Sequence, residues 1–236
     1  MINLFNDDAI NVLKTLPDKS VDLIVTDPPY ELDQGSSAGC FGADNRPYHK
    51  SLEFVSKGID NSYLEEMCRV MKKINCYFFC NKEQLRQYID FFCDKGASVD
   101  LLTWHKVNPT PMCDNKYLSD TEYILFFREK GVKVYGTFET KRKWYATPTN
   151  KSGKDNFDHP TVKPLFIVEN LIENSSLEGE TVLDCFMGTG TTGVAAVSKG
   201  RNFIGVEIVE KYFKTCQQRI NSQDLFRPFY SKGIIL

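Results

Sequence analysis

The tightest constraint on the fold lies between residues 163 and 220. "KPLFIVENLIENS" has helical apolar spacing, "ETVLDCF" is an apolar run of strand length, and "TTGVAAVSKG" is helical again. "NFIGVEI" is a second such run, and "EKYFKTCQQRI" closes the series as a helix. Alternation of this kind predicts parallel strands joined by crossover helices, a sheet covered on both faces. Upstream, strands are predicted at 20–26, 75–80, 98–106 and 121–127, and helices at 61–73 and 82–96. Pro164 falls near the first turn of a helix, where a missing N–H costs least. The chain has 236 residues, which suits one α/β domain spanning 1–236 with an insertion. Between 128 and 160 the patterning fades into Gly, Pro, Thr and Lys, which predicts a loop-rich insertion. Residues 31–50 are rich in Gly and Ser and are expected to be mobile.

Hydrophobic residues make up 42% of the chain and charged ones 25%, which excludes wholesale disorder. No apolar run reaches membrane-spanning length, and "MINLFNDDAI" is no signal peptide, so a cytoplasmic protein without a membrane partner is expected. The eight cysteines form no CxxC pair and the three histidines lie far apart. Buried reduced thiols are expected, and no metal. Residues 128–163 carry nine basic side chains against four acidic ones, on a chain whose net charge is −2. Such a segment fits a polyanionic partner as well as it fits a solvated loop.

Residues 184–193, "DCFMGTGTTG", follow an apolar strand and open a helix. Gly188, Gly190 and Gly193 satisfy GxGxxG, and Glu207 closes the next strand. Glycines let the backbone approach a nucleotide, and an acid at that place can accept two ribose hydroxyls. Asp184 sits just ahead of the glycines. A carboxylate there repels a pyrophosphate but pairs with an ammonium group. S-adenosylmethionine has the ribose, the ammonium and no phosphate, so it is favoured over NAD.

The predicted strand 20–26 ends in "DPPY", Asp27, Pro28, Pro29 and Tyr30. Ligands of such sheets bind at the carboxyl ends of strands, which puts these residues in the same crevice as the glycines. Proline cannot continue the ladder, and its carbonyl can face a ligand. Asp27 and the Pro28 carbonyl then make two acceptors for an amino group with two hydrogens, and Tyr30 offers a face to a planar base. The exocyclic amine of adenine is a poor nucleophile because its lone pair is delocalised. Two acceptors pulling on its hydrogens turn that lone pair toward a methyl donor held in line. Methylation at carbon 5 of cytosine needs a thiolate, usually presented after a proline, and the chain contains no Pro-Cys pair.

Taken in order, these segments resemble the β class of amino-methylating DNA methyltransferases, over residues 3 to 220. "DPPY" is similar to the catalytic motif, "DCFMGTGTT" to the cofactor loop and "GVEIVEKY" to the ribose-binding strand. "HPTVKP" at 159–164 is similar to the segment before the loop's preceding helix, "NDDAINVLKTLPDKSVDLI" at 6–24 to the family's opening, and "WHKVNPTP" at 104–111 to one wall of the target pocket. The resemblance implies a Rossmann-like fold with a mostly parallel seven-stranded sheet, S-adenosylmethionine as cofactor, double-stranded DNA as substrate and a base rotated out of the duplex. It implies cofactor contacts from Asp8, Asp27, Lys163, Asp184, Phe186, Gly188, Gly190, Thr191, Thr192 and Glu207. Cys185 stands where the family often has proline. Relatives acting on the N4 amine of cytosine more often have serine in place of Asp27, so adenine N6 is expected, with cytosine N4 as the alternative. Restriction–modification is one role the resemblance admits, and a homodimer one assembly.

Two other classes compete. An NAD-dependent oxidoreductase would explain GxGxxG and Glu207 but leaves "DPPY" without a role. A DNA-binding protein that lost catalysis would not need that motif intact. Within the insertion at 128–158, Lys141, Arg142 and Lys143 are candidates for phosphate contacts and Trp144 and Tyr145 for base contacts. Arg46, His49 and Lys50 in the 31–60 segment are candidates to close over DNA.

Overall fold

The computed structural model describes residues 1–30, 58–109, 115, 117–148 and 162–222. The expected mobile segment, half of the "HPTVKP" motif and part of the insertion lie outside them. The chain builds β1 (Ile2–Phe5), α1 (Ala9–Thr15), β2 (Leu23–Thr26), α2 (Asn61–Val70), β3 (Asn75–Cys80), α3 (Leu85–Asp94), β4 (Ser98–Lys106) and β5 (Thr121–Arg128). It continues with β6 (Trp144–Thr147), α4 (Leu165–Ser175), β7 (Thr181–Asp184), α5 (Thr191–Ser198), β8 (Asn202–Val206) and α6 (Glu210–Asn221).

The strands form one sheet in the order β1-β8-β7-β2-β3-β5-β4-β6. Every pairing is parallel except those of β5 with β3 and β4, so β5 alone runs against the rest. The sheet has eight strands where seven were expected. Trp144–Thr147, read as insertion loop, pairs with Thr103–Lys106 as the edge strand. Four residues with a polar lead-in are too short a signal for periodicity to detect.

Both faces are covered, which is why the central strands read as continuous apolar runs. On one face Cys76, Phe78 and Cys80 pack with Leu13 of α1, Leu64 of α2 and Phe92 of α3. On the other, Tyr77 and Phe79 pack with Ile167 and Leu171 of α4, Ala195 of α5 and Cys216 of α6. Local capping sets two helix starts. The Asp8 side chain accepts from the Ile10 amide at 3.0 Å, and the Asp60 side chain from the Ser62 amide at 2.7 Å. Among the described cysteines, Cys76, Cys80, Cys185 and Cys216 are buried as expected, while Cys93 is exposed.

The strand order creates a switch point. From β2 the chain crosses to β3 on one side, and from β7 it crosses to β8 on the other, while β2 and β7 are neighbours. A crevice opens at the carboxyl ends of two such strands. Thr26 and Asp184 are the last residues of those strands. Because β5 is reversed, its first residues lie at this same edge.

Candidate active site

Asp27 follows β2 directly and its backbone leaves the ladder at the prolines. The Pro29 carbonyl is not left bare: Gln84 donates to it through Nε2 at 2.8 Å and is itself 1% exposed. Gln84 holds the cap position of α3, yet its side chain makes no capping bond and turns to the motif instead.

The Asp27 carboxylate sits in a cluster of charge. Its Oδ2 lies 2.7 Å from Lys163 Nζ, and the same ammonium lies 3.2 Å from Glu122 Oε2. Glu122 Oε1 in turn meets Lys106 Nζ at 2.6 Å. Tyr30 receives a hydrogen bond from Lys163 at 3.2 Å and donates to Glu122 at 3.4 Å. Asp27 Oδ1 is buried and has no hydrogen-bond partner among the described residues. Burial, joined by the charge of Glu122, raises the Asp27 carboxyl above its ordinary value against the pull of Lys163. Burial also opposes the Glu122 charge, but Lys163 and Lys106 outweigh it and hold that carboxyl below its usual range. For Lys163 burial favours the neutral form, and Asp27 and Glu122 overturn it, raising the ammonium above its ordinary value.

The glycine loop lies beside this cluster. Thr26 Oγ1 donates to Asp184 Oδ1 at 2.8 Å, and the Phe186 amide donates to the same oxygen at 3.1 Å. Thr192 adds a third hydrogen bond to that carboxylate. Burial pushes the Asp184 carboxyl up to about 7, against these neutral donors. Glu207 accepts from the Gly188 amide at 2.9 Å and the Val209 amide at 2.7 Å, and burial raises its carboxyl too. Each carboxylate oxygen has two lone pairs, so Glu207 keeps acceptor capacity for ribose hydroxyls. Gly190 adopts φ +87, and a Cβ there would run into Cys216 Sγ. Thr191 is buried and lies 3.4 Å from the Arg219 guanidinium. Asp8 and Phe186 meet at one side chain: Tyr63 donates to Asp8 Oδ1 at 2.9 Å, and its ring centroid is 6.1 Å from that of Phe186.

Asp27, Tyr30, Asp184, Phe186, the glycines, the two threonines and Glu207 thus share one sheet edge. Lys163 is also there, but the structure places its ammonium against Asp27 and Glu122, in the charge cluster. The candidate DNA contacts fare differently. Tyr145 is 7% exposed and packs edge-on to Phe166, so its ring belongs to the core. Trp144 is half-buried in the edge strand. Lys143 pairs with Asp100 and Arg142 with Glu139. The turn just before them bonds Asn174, through Thr140 and the Tyr135 amide, at the C-terminal end of α4. Lys163 stands at the opposite end of that helix, about 16 Å away for eleven residues. Lys141 and Arg142 lead from that turn into β6, and the Lys143 carbonyl accepts from the Thr103 amide of β4 at 2.8 Å.

Glu122, Lys106 and Gln84 were missed. Glu122 was hidden because strand direction is not legible in a strand's own residues. Gln84 carried a faint signal, since glutamine is an uncommon helix cap.

Residues 21–218 match the N6/N4 methylase family model, described as DNA methylase. The chain belongs to this family. It is 30% identical over 238 residues to the Type II methyltransferase M2.LlaDCHI of Lactococcus lactis subsp. cremoris, covering 92% of this chain and 88% of that one. The crystal structure of the M1.HpyAVI–SAM complex superposes with a TM-score of 0.70 at 29% identity, covering 94% of this chain and all of the other. The cytosine-N4-specific PvuII DNA methyltransferase shares the fold at a TM-score of 0.72 and 16% identity, covering 97% of this chain and 88% of that one. The protein is an amino-methylating DNA methyltransferase that uses S-adenosylmethionine. The site fits that cofactor: Asp184 is a buried carboxylate without a cation among its named partners, suited to an ammonium group. No helix of the described residues is long and apolar enough to cross a membrane.

Proposed function

We propose that this methyltransferase acts on the N6 amine of adenine in double-stranded DNA, with the base extruded into the crevice, as the modification half of a restriction–modification pair. The observation that carries the reading is Asp27 Oδ1, a buried acceptor with no partner among the described residues, beside the ends of β2 and β7. Lys163 fixes the other oxygen, so the carboxylate cannot turn away. An amine hydrogen satisfies Oδ1, and the Pro28 carbonyl takes the second. The N6 lone pair is then released from the ring and forms the N–C bond. The cofactor supplies an electrophilic methyl group on a sulfonium, which leaves as a neutral thioether when the S–C bond breaks. The N6 proton departs toward Asp27 Oδ1. Tyr30, fixed through its hydroxyl, stacks on the base, an interaction of roughly 1–3 kcal/mol at comparable sites. Glu207 takes the ribose hydroxyls, Asp184 the ammonium, and Asp8 and Phe186 flank the cofactor adenine.

Asp27 in place of serine favours adenine over cytosine. Relatives bearing the designation Type II methyltransferase support the restriction–modification role. Transfer of a labelled methyl group to duplex DNA, followed by digestion to nucleosides, tests the assignment. Label in N6-methyladenine is expected. Label only in N4-methylcytosine overturns the base, and no transfer to DNA overturns the activity.

A further inference from the structure

The cluster around Asp27 holds a second acid that the motifs do not name. Glu122 is the second residue of the reversed strand β5, and its side chain is 13% exposed. Its two oxygens are divided between two ammonium groups, Lys106 at 2.6 Å and Lys163 at 3.2 Å, and Lys163 also holds Asp27 at 2.7 Å. Two carboxylates thus face two lysines. Delete one carboxylate and two cations bear on Asp27 alone.

We infer that Glu122 is a positioning residue for methyl transfer: by sharing Lys163 with Asp27 and anchoring the Tyr30 hydroxyl, it keeps Asp27 Oδ1 a strong acceptor for the target amine and holds the stacking ring in place. This inference rests on the catalytic reading of Asp27 given above. A carboxylate fully neutralised by its own ammonium is a weak acceptor for a further hydrogen bond. A carboxylate that shares its ammonium keeps more charge on the oxygen facing the substrate. The hydrogen-bond chain from Lys163 through Tyr30 to Glu122 supplies the second function.

The groups facing this pair are Lys106 from β4, Lys163 ahead of α4, Asp27 and Tyr30 after β2, and Cys80 at the end of β3. Burial pushes the Cys80 thiol up to about 12 and the Tyr30 phenol well above its ordinary value, so both stay neutral in the working range. The charge of Glu122 raises the Asp27 carboxyl. Its removal must therefore lower it.

The test is single-turnover methyl transfer at saturating S-adenosylmethionine, followed against pH for the parent, Glu122→Gln and Lys106→Met. Glu122→Gln is expected to slow transfer about tenfold or more at neutral pH, the scale of a lost preorganised group. It should also move the acid limb to lower pH. Lys106→Met leaves the Glu122 charge less neutralised and is expected to move the limb the other way, to higher pH. A purely structural Glu122 would not give shifts of opposite sign, and an acid limb that stays put in both variants overturns the proposal. Should Glu122→Gln fail to fold, Lys106→Met decides alone: an upward shift supports the inference and none overturns it. Adenine and cytosine duplexes are assayed in parallel, and the profile is read on whichever base accepts methyl. A wrong base assignment is thereby separated from a wrong role for Glu122.

Discussion

The Thr26 hydroxyl donates to Asp184 Oδ1 at 2.8 Å, joining the end of β2 to the end of β7 across 158 positions of chain. The DPPY motif begins at the next residue after Thr26, and the glycine loop begins just after Asp184. One buried hydrogen bond therefore ties the strand end that carries Asp27 to the strand end that carries the glycine loop. It also gives Asp184 a neutral donor.

Asp184 should make stability and cofactor binding depend on pH in a defined direction. Its folded-state value, about 7, lies above the unfolded one. The folded form binds the extra proton, so this group favours folding fully below the unfolded value near 4. That contribution is lost as pH rises through about 7. Asp184→Asn should flatten this part of the stability curve between pH 4 and 7, measured as the difference from the parent. An arriving ammonium stabilises the ionised form, so cofactor binding near pH 6 should release protons in the parent. Calorimetry in buffers of different ionisation enthalpy detects that release, and its absence would remove Asp184 from the ammonium site.

Asp27→Ala should lower the rate of methyl transfer by about 10²-fold or more, since it removes a buried acceptor that has no partner among the described residues. Lys163 would then keep Glu122 as its partner, so the fold should survive. Single-turnover assays on duplex DNA check the rate and circular dichroism the fold. A variant as fast as the parent would mean that another group accepts from the amine.

Much of this arrangement was legible in the sequence, for a physical reason. Asp184 ends its strand and Asp27 and Glu207 follow theirs directly, and a parallel sheet brings the carboxyl ends of its strands together whatever their separation in the chain. The runs "NCYFFC" and "SVDLLTWHK" coincide with β3 and β4 because strands buried on one or both faces carry strong patterns. Legibility failed where a contact depended on direction or on a neighbour. Glu122 reaches the site only because β5 runs backward. Trp144–Thr147 is a strand only because β4 offers it an edge.

Gly190→Ala should destabilise the protein and weaken the cofactor together. The residue adopts φ +87, which costs an alanine roughly 1–2 kcal/mol. Its Cβ would also press on Cys216, which is buried and lies 3.4 Å from Met187. Overpacking of this kind costs about 1–3 kcal/mol. A melting temperature lower by about 5 °C or more is expected for a chain of this size. Cys216→Ala in the same background should restore part of it, and a thermal shift series on the single and double variants measures both. An unchanged melting temperature in Gly190→Ala would show that the loop backbone relaxes freely.

Gln84→Leu should separate the rate of transfer from cofactor affinity. The side chain donates to the Pro29 carbonyl at 2.8 Å and to the Tyr88 hydroxyl at 3.0 Å. Leucine keeps the volume and removes the donor, leaving a carbonyl of the motif unpaired at a cost of about 1–3 kcal/mol. The backbone can relieve that cost by shifting, and a shift of about 1 Å at a reacting centre can lower a rate by about 10²-fold. Asp184 and Glu207 lie on other strands and should bind the cofactor as before. The expected outcome is a turnover number lowered about tenfold or more, with the dissociation constant for S-adenosylmethionine within about twofold of the parent. Equal losses in both would mean that Gln84 supports the whole crevice, and no loss in either would show that the two prolines hold the motif without it.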